Sequence, residues 1–498
     1  MTKTTFNTDV LIAGSGGTGL AAAYAAAEKG FKVIVIEKLD KIGGNTRISS
    51  GFFAIGSKEQ KNAGLNLSKK EAIARLTNYN HYLANGPLVS HIVNNSANTL
   101  EWLENIGMEI KLNPTKNTTQ FAHRGDDYKG GSYHMYQHKD KSYQRIQKNL
   151  EKVGVTFKFN TTLTSLLTED SKVIGATAID GNGKDLTINA ISTVIATGGY
   201  GANKEMVTQK MCTNNLRPLG VPNMGEGFKA MLKSGATDLD STALIHAAQL
   251  AKSTVTQATS DSHLAGFSHT ALTQLLLTPQ LWVNLNGKRF ANEDTVYDTV
   301  EWANTGWAAG GKYYFVVDQT TLNIFTKGKN SLEVSQAGPG ADTESGNFTE
   351  LAQHAVEAKT AFKGSTLEEL AKNAGMKPKI FTATIDKYNM AVKTKKDNEF
   401  SKSSKSLVFP IKDGPFYAFI CQVAYLGTIG GVRVDENLKV LDTDFNPIPG
   451  LFTGGANAGG YYEGHSYPAY EGLASGFSWT SGRIAGNSAA EYAAQHTK

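Results

Sequence analysis

Near its start the chain carries an unbroken apolar run, Val10-Leu11-Ile12-Ala13, directly after Asp9. A short run without polar alternation predicts a strand buried on both faces. The alanine-rich stretch 20–29 predicts a helix, and 32–37 predicts a second buried strand that ends on the acid Glu37. Far downstream, 367–373 and 377–394 predict two helices. In the second of these Ile380, Ala383, Ile385 and Tyr388 recur at helical spacing, enough to pack a small domain. Segment 327–348 is rich in Gly, Ser, Asn and Asp and predicts a loop, either an insertion or a mobile edge of that domain. No internal repeat is seen.

Between the first strand and the first helix lies Gly14-Ser15-Gly16-Gly17-Thr18-Gly19. GxGxxG alone is a weak signal, but here strand, glycines, helix, strand and terminal acid follow in the order a dinucleotide fold needs. Gly14 makes the tight turn, Gly16 lets the backbone approach a pyrophosphate, and Gly19 allows the helix to pack closely on the strand. The helix N-terminus offers unpaired N–H groups and the positive end of its dipole. Glu37 is placed to accept from ribose hydroxyls.

Composition agrees. The 498 residues exceed one domain and predict at least two. Glycine stands at 51 against 12 prolines, without a Gly-X-Y period, as expected where backbone packs tightly on a nucleotide. Lys+Arg 50 against Asp+Glu 45 leaves +5, and even the densest cluster, Lys393, Lys395 and Lys396, is short, so nucleic acid is not an expected partner. Cys212 and Cys421 form no CxxC, zinc or haem-attachment pattern. No signal-peptide pattern and no apolar stretch of about 20 residues occurs, so the expectation is a cytoplasmic protein without a membrane span.

Beyond Glu37 and Lys38 the chain reads Gly43-Gly44-Asn45-Thr46, then Ser49-Ser50-Gly51. Thr193–Gly201 contains Ala196-Thr197-Gly198-Gly199, and 449–456 contains Gly454-Gly455-Ala456. These stretches resemble the flavoprotein superfamily of fumarate reductases, succinate dehydrogenase flavoprotein subunits, urocanate reductases and 3-ketosteroid 1-dehydrogenases. The resemblance implies FAD, held by Gly14, Gly16, Gly17, Thr18, Gly19, Glu37, Lys38, Gly43, Gly44, Asn45, Thr46, Ser50, Gly51, Thr197, Gly198, Gly199, Gly455, Ala456 and Ala474. Membrane-bound members attach FAD through a histidine shortly after the GG pair. This chain has Asn45-Thr46-Arg47-Ile48 there, which implies non-covalent FAD. The expected fold is α/β with an α+β cap: a discontinuous Rossmann-like FAD-binding domain over 1–238 and 415–498, and an inserted substrate or capping domain over 239–414. No fused haem or FMN domain is expected, so an external electron donor or acceptor is implied.

The cap contains Arg289-Phe290-Ala291-Asn292-Glu293 followed by Tyr297. The similar motif of fumarate reductases ends in a proton-donating arginine, whereas ketosteroid enzymes carry a tyrosine there that serves as base. The segment Leu426-Gly427-Thr428 lacks the substrate-binding histidine of fumarate reductases, and Gly464-His465-Ser466-Tyr467-Pro468 resembles the ketosteroid enzymes' GHTYP. Carboxylate-binding arginines of fumarate reductases would fall near Leu276 and Ala469. A dicarboxylate in a closed site needs guanidinium partners, so these absences imply a less charged substrate that carries a carbonyl. The resemblance then implies an ene-reductase or, run backwards, a desaturase. Hydride passes through flavin N5, Tyr297 exchanges the proton, and Tyr467 with a backbone N–H near Gly472 grips the carbonyl of a neutral enone or ketosteroid-like compound, His465 orienting Tyr467 or serving structure alone. A helix beginning near Ala469 is expected to aim at the flavin.

Weaker candidates are His246, either a substrate ligand or a hydrogen-bonded cap residue, and Tyr461, Tyr462, Glu463 and Glu471. One of Tyr128, Tyr133 and Tyr136 is expected to reach the site. Two other readings stay open. One is a fumarate- or urocanate-type reductase of small unsaturated acids, using cations such as Arg124, Arg145 or Lys252. The other is a non-catalytic flavin-binding electron-transfer protein.

Overall fold

In the computed structural model the first apolar run forms the buried end of a strand, Thr4–Ala13. The structure describes residues 4–113, 130–220, 222–250, 271–335, 346–462 and 470–497. Thr4–Ala13 pairs in parallel with Val33–Ile36 on one side and Asp185–Ile195 on the other. Thr156–Lys158 extends the parallel sheet beyond the first neighbour, and Pro447–Thr453 beyond the second. The antiparallel hairpin Thr162–Glu169 and Lys172–Ile179 attaches to Asp185–Ile195. Residues 439–453 and 9–37 therefore meet in one sheet, as a discontinuous nucleotide domain requires.

Two helices close that sheet. Gly17–Ala27 is buried along almost its whole length, so its alanines face protein on every side. Its neighbour is the C-terminal helix Leu473–His496. The two backbones lie too close for side chains between them: a Cβ on Gly482 would sit 2.3 Å from the Thr18 carbonyl oxygen, and one on Gly486 2.4 Å from that of Ala22. The C-terminal helix starts at Leu473, not near Ala469, because Gly472 in the left-handed region (φ 72°) caps it.

The second sheet is built around a 14-residue strand, Phe416–Ile429. It pairs with Thr242–Leu250, Lys312–Asp318, Ala361–Gly364 and the short Arg217–Pro218. By pairing, 416–429 belongs with the cap strands, which corrects the expected return to the nucleotide domain at 415. The strand is buried on both faces, so its sequence has no apolar–polar alternation to say which sheet it joins. The two cap helices form at Leu367–Asn373 and Pro378–Thr394. The second is rotated from expectation: Ile380 and Ala383 are exposed, while Phe381, Thr384, Ile385 and Tyr388 form the packed face.

Gly486→Val is expected to destabilise the protein by about 3 kcal/mol or more, since backbone and not a flexible side chain would have to yield. Urea unfolding of wild type and variant measures this, and an unchanged midpoint would mean that the helix pair separates freely.

Candidate functional site

A cleft of about 840 Å³, open mouth included, runs along the carboxyl ends of the parallel strands. Gly14, Gly16, Gly17, Thr18, Glu37, Lys38, Gly44, Asn45, Thr46, Thr197, Gly198 and Ala456 all line it, together with Asn223, Glu226 and Ser478. The turn glycines divide by what they touch. Gly14 has φ 102°, and a Cβ there would meet the Ala196 carbonyl oxygen at 2.4 Å; a Cβ on Gly19 would meet the Gly14 oxygen at 1.9 Å. Protein packing demands both. A Cβ on Gly16 would make only ordinary contacts, 3.9 Å from the Gly44 Cα and 4.0 Å from the Gly43 oxygen. The protein packing alone therefore does not demand glycine at 16.

The helix that begins at Gly17 has no side-chain cap at Gly16, so its first turn keeps donors for an anion. The Gly17 N–H donates to the Thr46 hydroxyl at 2.8 Å, and that hydroxyl donates to the Gly43 carbonyl at 2.7 Å, which ties the two glycine turns together. Glu37 accepts from the Ser15 N–H and hydroxyl on one carboxylate oxygen and from the Leu39 N–H on the other. Each bond also orients the carboxylate at the cleft wall. Lys38 pairs with Glu226 at 2.9 Å.

A third glycine turn is held by a residue outside the predicted set. Asn457 is fully buried; it accepts from the Gly199 N–H at 2.9 Å and donates to the Thr197 hydroxyl at 3.1 Å. It directly follows the Gly454-Gly455-Ala456 stretch, where a short polar residue after three small ones was the available signal. Beside Gly199, the Thr428 hydroxyl is buried without a hydrogen-bond partner among the described residues. The open Gly16 backbone and this orphan hydroxyl fit a bound FAD. Ser50 is exposed, and a Cβ on Gly51 would strike the His134 carbonyl at 2.6 Å, which gives Gly51 a packing reason of its own.

Tyr297 ends a short 3-10 helix, Glu293–Tyr297, in the apolar cap core with Leu275, Leu276 and Leu277. Its hydroxyl donates to the Glu333 carbonyl at 3.0 Å, and burial raises its ionisation well above the ordinary range. The motif before it is clamped. Arg289 makes a two-point contact with Glu293 at 2.8 and 2.7 Å and reaches Asp397 at 2.9 Å, while Lys402 lies 3.3 Å from Glu293. Two cations and two anions thus balance each other in the cap interior.

The Gly472 carbonyl accepts from the Phe53 and Gly476 N–H groups, and its own N–H has no acceptor among the described residues. Ala474 lies in the first turn of the same helix, half-buried. Tyr136 donates to or accepts from Ser475 at 2.6 Å, and the Tyr133 ring lies against both Gly51 and Gly472. His246 is close to the Thr299 hydroxyl at 3.4 Å, and burial lowers its pKa to about 4, so it stays neutral. Tyr461 stacks on Phe477 at 4.4 Å and packs against Tyr462. Arg145 faces Glu109 at 2.7 Å near the surface. His465, Tyr467, Glu463, Tyr128, Arg124, Lys252 and Ala469 lie outside the described residues.

Sequence reading passed over one further cation. Arg217 is buried, and its guanidinium donates to the Leu250 carbonyl at 2.8 Å; no carboxylate stands opposite it among the described residues. No group of three or more potential metal ligands occurs among the described residues.

A family model described as an FAD binding domain matches residues 9–468. The chain is 28% identical to the vinyl phenol reductase of Lactiplantibacillus plantarum, over 98% of this chain and 97% of that protein. It is also 28% identical to the NADH:fumarate oxidoreductase of Klebsiella pneumoniae, over 92% of this chain but only 45% of that protein. In fold it resembles a 3-ketosteroid Δ1-dehydrogenase from Sterolibacterium denitrificans, with a TM-score of 0.73 and 20% identity over 97% of this chain and 99% of that one.

Gly16→Ala is expected to leave the stability of the apoprotein unchanged while weakening FAD binding by about tenfold or more, whereas Gly19→Ala should destabilise the apoprotein itself. Thermal unfolding of apoprotein, with fluorescence titration of FAD, separates the two effects. Equal FAD affinity in Gly16→Ala and wild type would place the pyrophosphate elsewhere.

Proposed function

The chain belongs to the FAD binding domain family, and from that premise we propose that this FAD-dependent oxidoreductase reduces a carbon–carbon double bond in a neutral conjugated substrate. When bound, FAD supplies the two-electron exchange. The observation that carries the substrate reading is the company Tyr297 keeps. Where an acid-reducing relative would set arginines, this chain places Tyr297 and Leu276 in one apolar cluster. A substrate carboxylate there would lose water without gaining a partner. The vinyl phenol reductase that this chain spans from end to end supports an uncharged alkene.

Tyr297 holds the proton on its phenol oxygen, steadied by the Glu333 carbonyl. Burial disfavours the phenolate, so the donor form persists as pH rises through neutrality into the alkaline range. The phenol is thus present in its protonated form, the form that a reductive half-reaction starts from. The Gly472 N–H, which has no acceptor among the described residues, is the group we assign, together with Tyr467, to an oxygen on the substrate, where it would stabilise developing negative charge.

Arg217 favours a second reading. A buried guanidinium whose one acceptor among the described residues is a carbonyl would be satisfied by the carboxylate of a small unsaturated acid.

Photoreduced holoenzyme should be reoxidised anaerobically by a neutral conjugated alkene and, in Tyr297→Phe, at least about a hundredfold more slowly. Reoxidation by fumarate or urocanate alone would overturn the neutral-substrate reading. Arg217→Met separates the two readings further: turnover of a neutral substrate should survive this substitution, whereas loss confined to acid substrates, through a raised KM, would assign the carboxylate to Arg217.

A further inference from the structure

We infer that Lys38 and Glu226 form a clasp across the adenosine end of the cofactor cleft, and that this ion pair must open for FAD to enter or leave. The inference rests on membership of the FAD binding domain family and is independent of the substrate reading above.

The two residues come from opposite sides of the cleft. In the parallel sheet, Thr4–Ala13 stands between Val33–Ile36 and Asp185–Ile195. Lys38 lies just beyond the end of Val33–Ile36, and its neighbours are fixed there. The Glu37 carbonyl accepts from the Thr161 N–H at 2.8 Å, and the Leu39 carbonyl from the Asn160 N–H at 3.1 Å. Glu226 belongs to the other side. It opens the helix Glu226–Lys233, whose Phe228 and Met231 are buried in the core. The turn before that helix is tied to the segment that follows Asp185–Ile195, because Asn223 donates to the Gly198 carbonyl at 2.9 Å. Both backbones are thus held, and the two side chains span the gap between them.

They meet at 2.9 Å, each with 23% of its side chain exposed, and both line the cleft. The other Glu226 oxygen accepts from the Met224 N–H at 3.2 Å, which orients the carboxylate. A dinucleotide with its pyrophosphate on the Gly16 turn and a ribose at Glu37 carries its adenine onward past Glu37. That end of the cleft is lined by Lys38, Leu39 and Thr161, and the ion pair stands there. The charge of Lys38 is matched by Glu226, so the lysine serves as a closure and not as a counter-ion for the phosphates. A partly exposed pair is also weak enough to open and reclose, as a gate must. Such a barrier acts on entry and exit alike. It changes both rates and leaves the affinity where it is, whereas a direct contact with FAD would change the affinity.

The test follows flavin fluorescence as holoenzyme releases FAD and as apoprotein takes it up, in wild type, Lys38→Met, Glu226→Gln and the double variant. Each single variant should speed association and release alike by about fivefold, the upper worth of a partly exposed ion pair, with Kd unchanged. The double variant should be no faster than the singles, since either substitution removes the same pair. The charge-swapped variant Lys38→Glu/Glu226→Lys should return both rates towards wild type, a rescue that a folding defect cannot imitate. Unchanged rates in both single variants, or effects that add in the double variant, overturn the clasp. A weakened Kd with unchanged association overturns it too, and assigns the two residues to direct contact with FAD. No substrate enters these measurements, so their outcome leaves the substrate reading untouched.

Discussion

The backbone contact between the first helix and the last governs the rest of the structure. Gly482 and Gly486 bring the C-terminal helix onto Thr18 and Ala22 without intervening side chains. Everything that follows the glycine turn at 14–19 is positioned by this contact. Gly455 packs on Thr18 and donates its N–H to Ser481, which joins the Gly454-Gly455-Ala456 stretch to the same helix. The N-terminal motif and the C-terminal segment are more than 400 residues apart in sequence, yet they form one wall of the cleft because two helices lack side chains where they touch.

The cofactor half of the molecule was legible in the sequence because its determinants are local. Strand, turn, helix and acid follow one another within about thirty residues, and Gly19 answers to Gly14 within the same turn. The cap was less legible. Strand 416–429 is apolar but for Gln422 and Thr428 and shows no alternation, so periodicity could not say which sheet it entered. In the helix Pro378–Thr394 apolar residues occupy more than one face, and the choice between Ile380 and Phe381 is made by tertiary packing. Asn457 and Arg217 were hidden for another reason. A single polar residue says nothing in sequence about which partner it has, and its partner is what distinguishes each of these two.

The buried charges differ in that same respect. Arg289 and Lys402 have anions set against them, Glu293 and Asp397, and form a closed group that fastens the segment carrying Tyr297. Removing one member would leave a bare charge in the interior, so this group reads as architecture. Arg217 and Glu471 each lack a counter-charge among the described residues.

The strand Phe416–Ile429 has one more implication. At its near end Leu426 accepts a hydrogen bond from Asn45 in the second glycine turn, and Thr428 abuts Gly199 in the third. At its far end it is locked into the cap by ladders on both edges. The cap and the cofactor floor thus share a single beam. A rocking cap cannot bend this beam without breaking its ladders. It must carry the beam along or pivot just past it, at Gly430 and Gly431, whose backbones both lie at positive φ. Motion at the substrate side would then tug directly on the second and third glycine turns, so that any movement of the cap becomes a strain on the wall of the cofactor cleft.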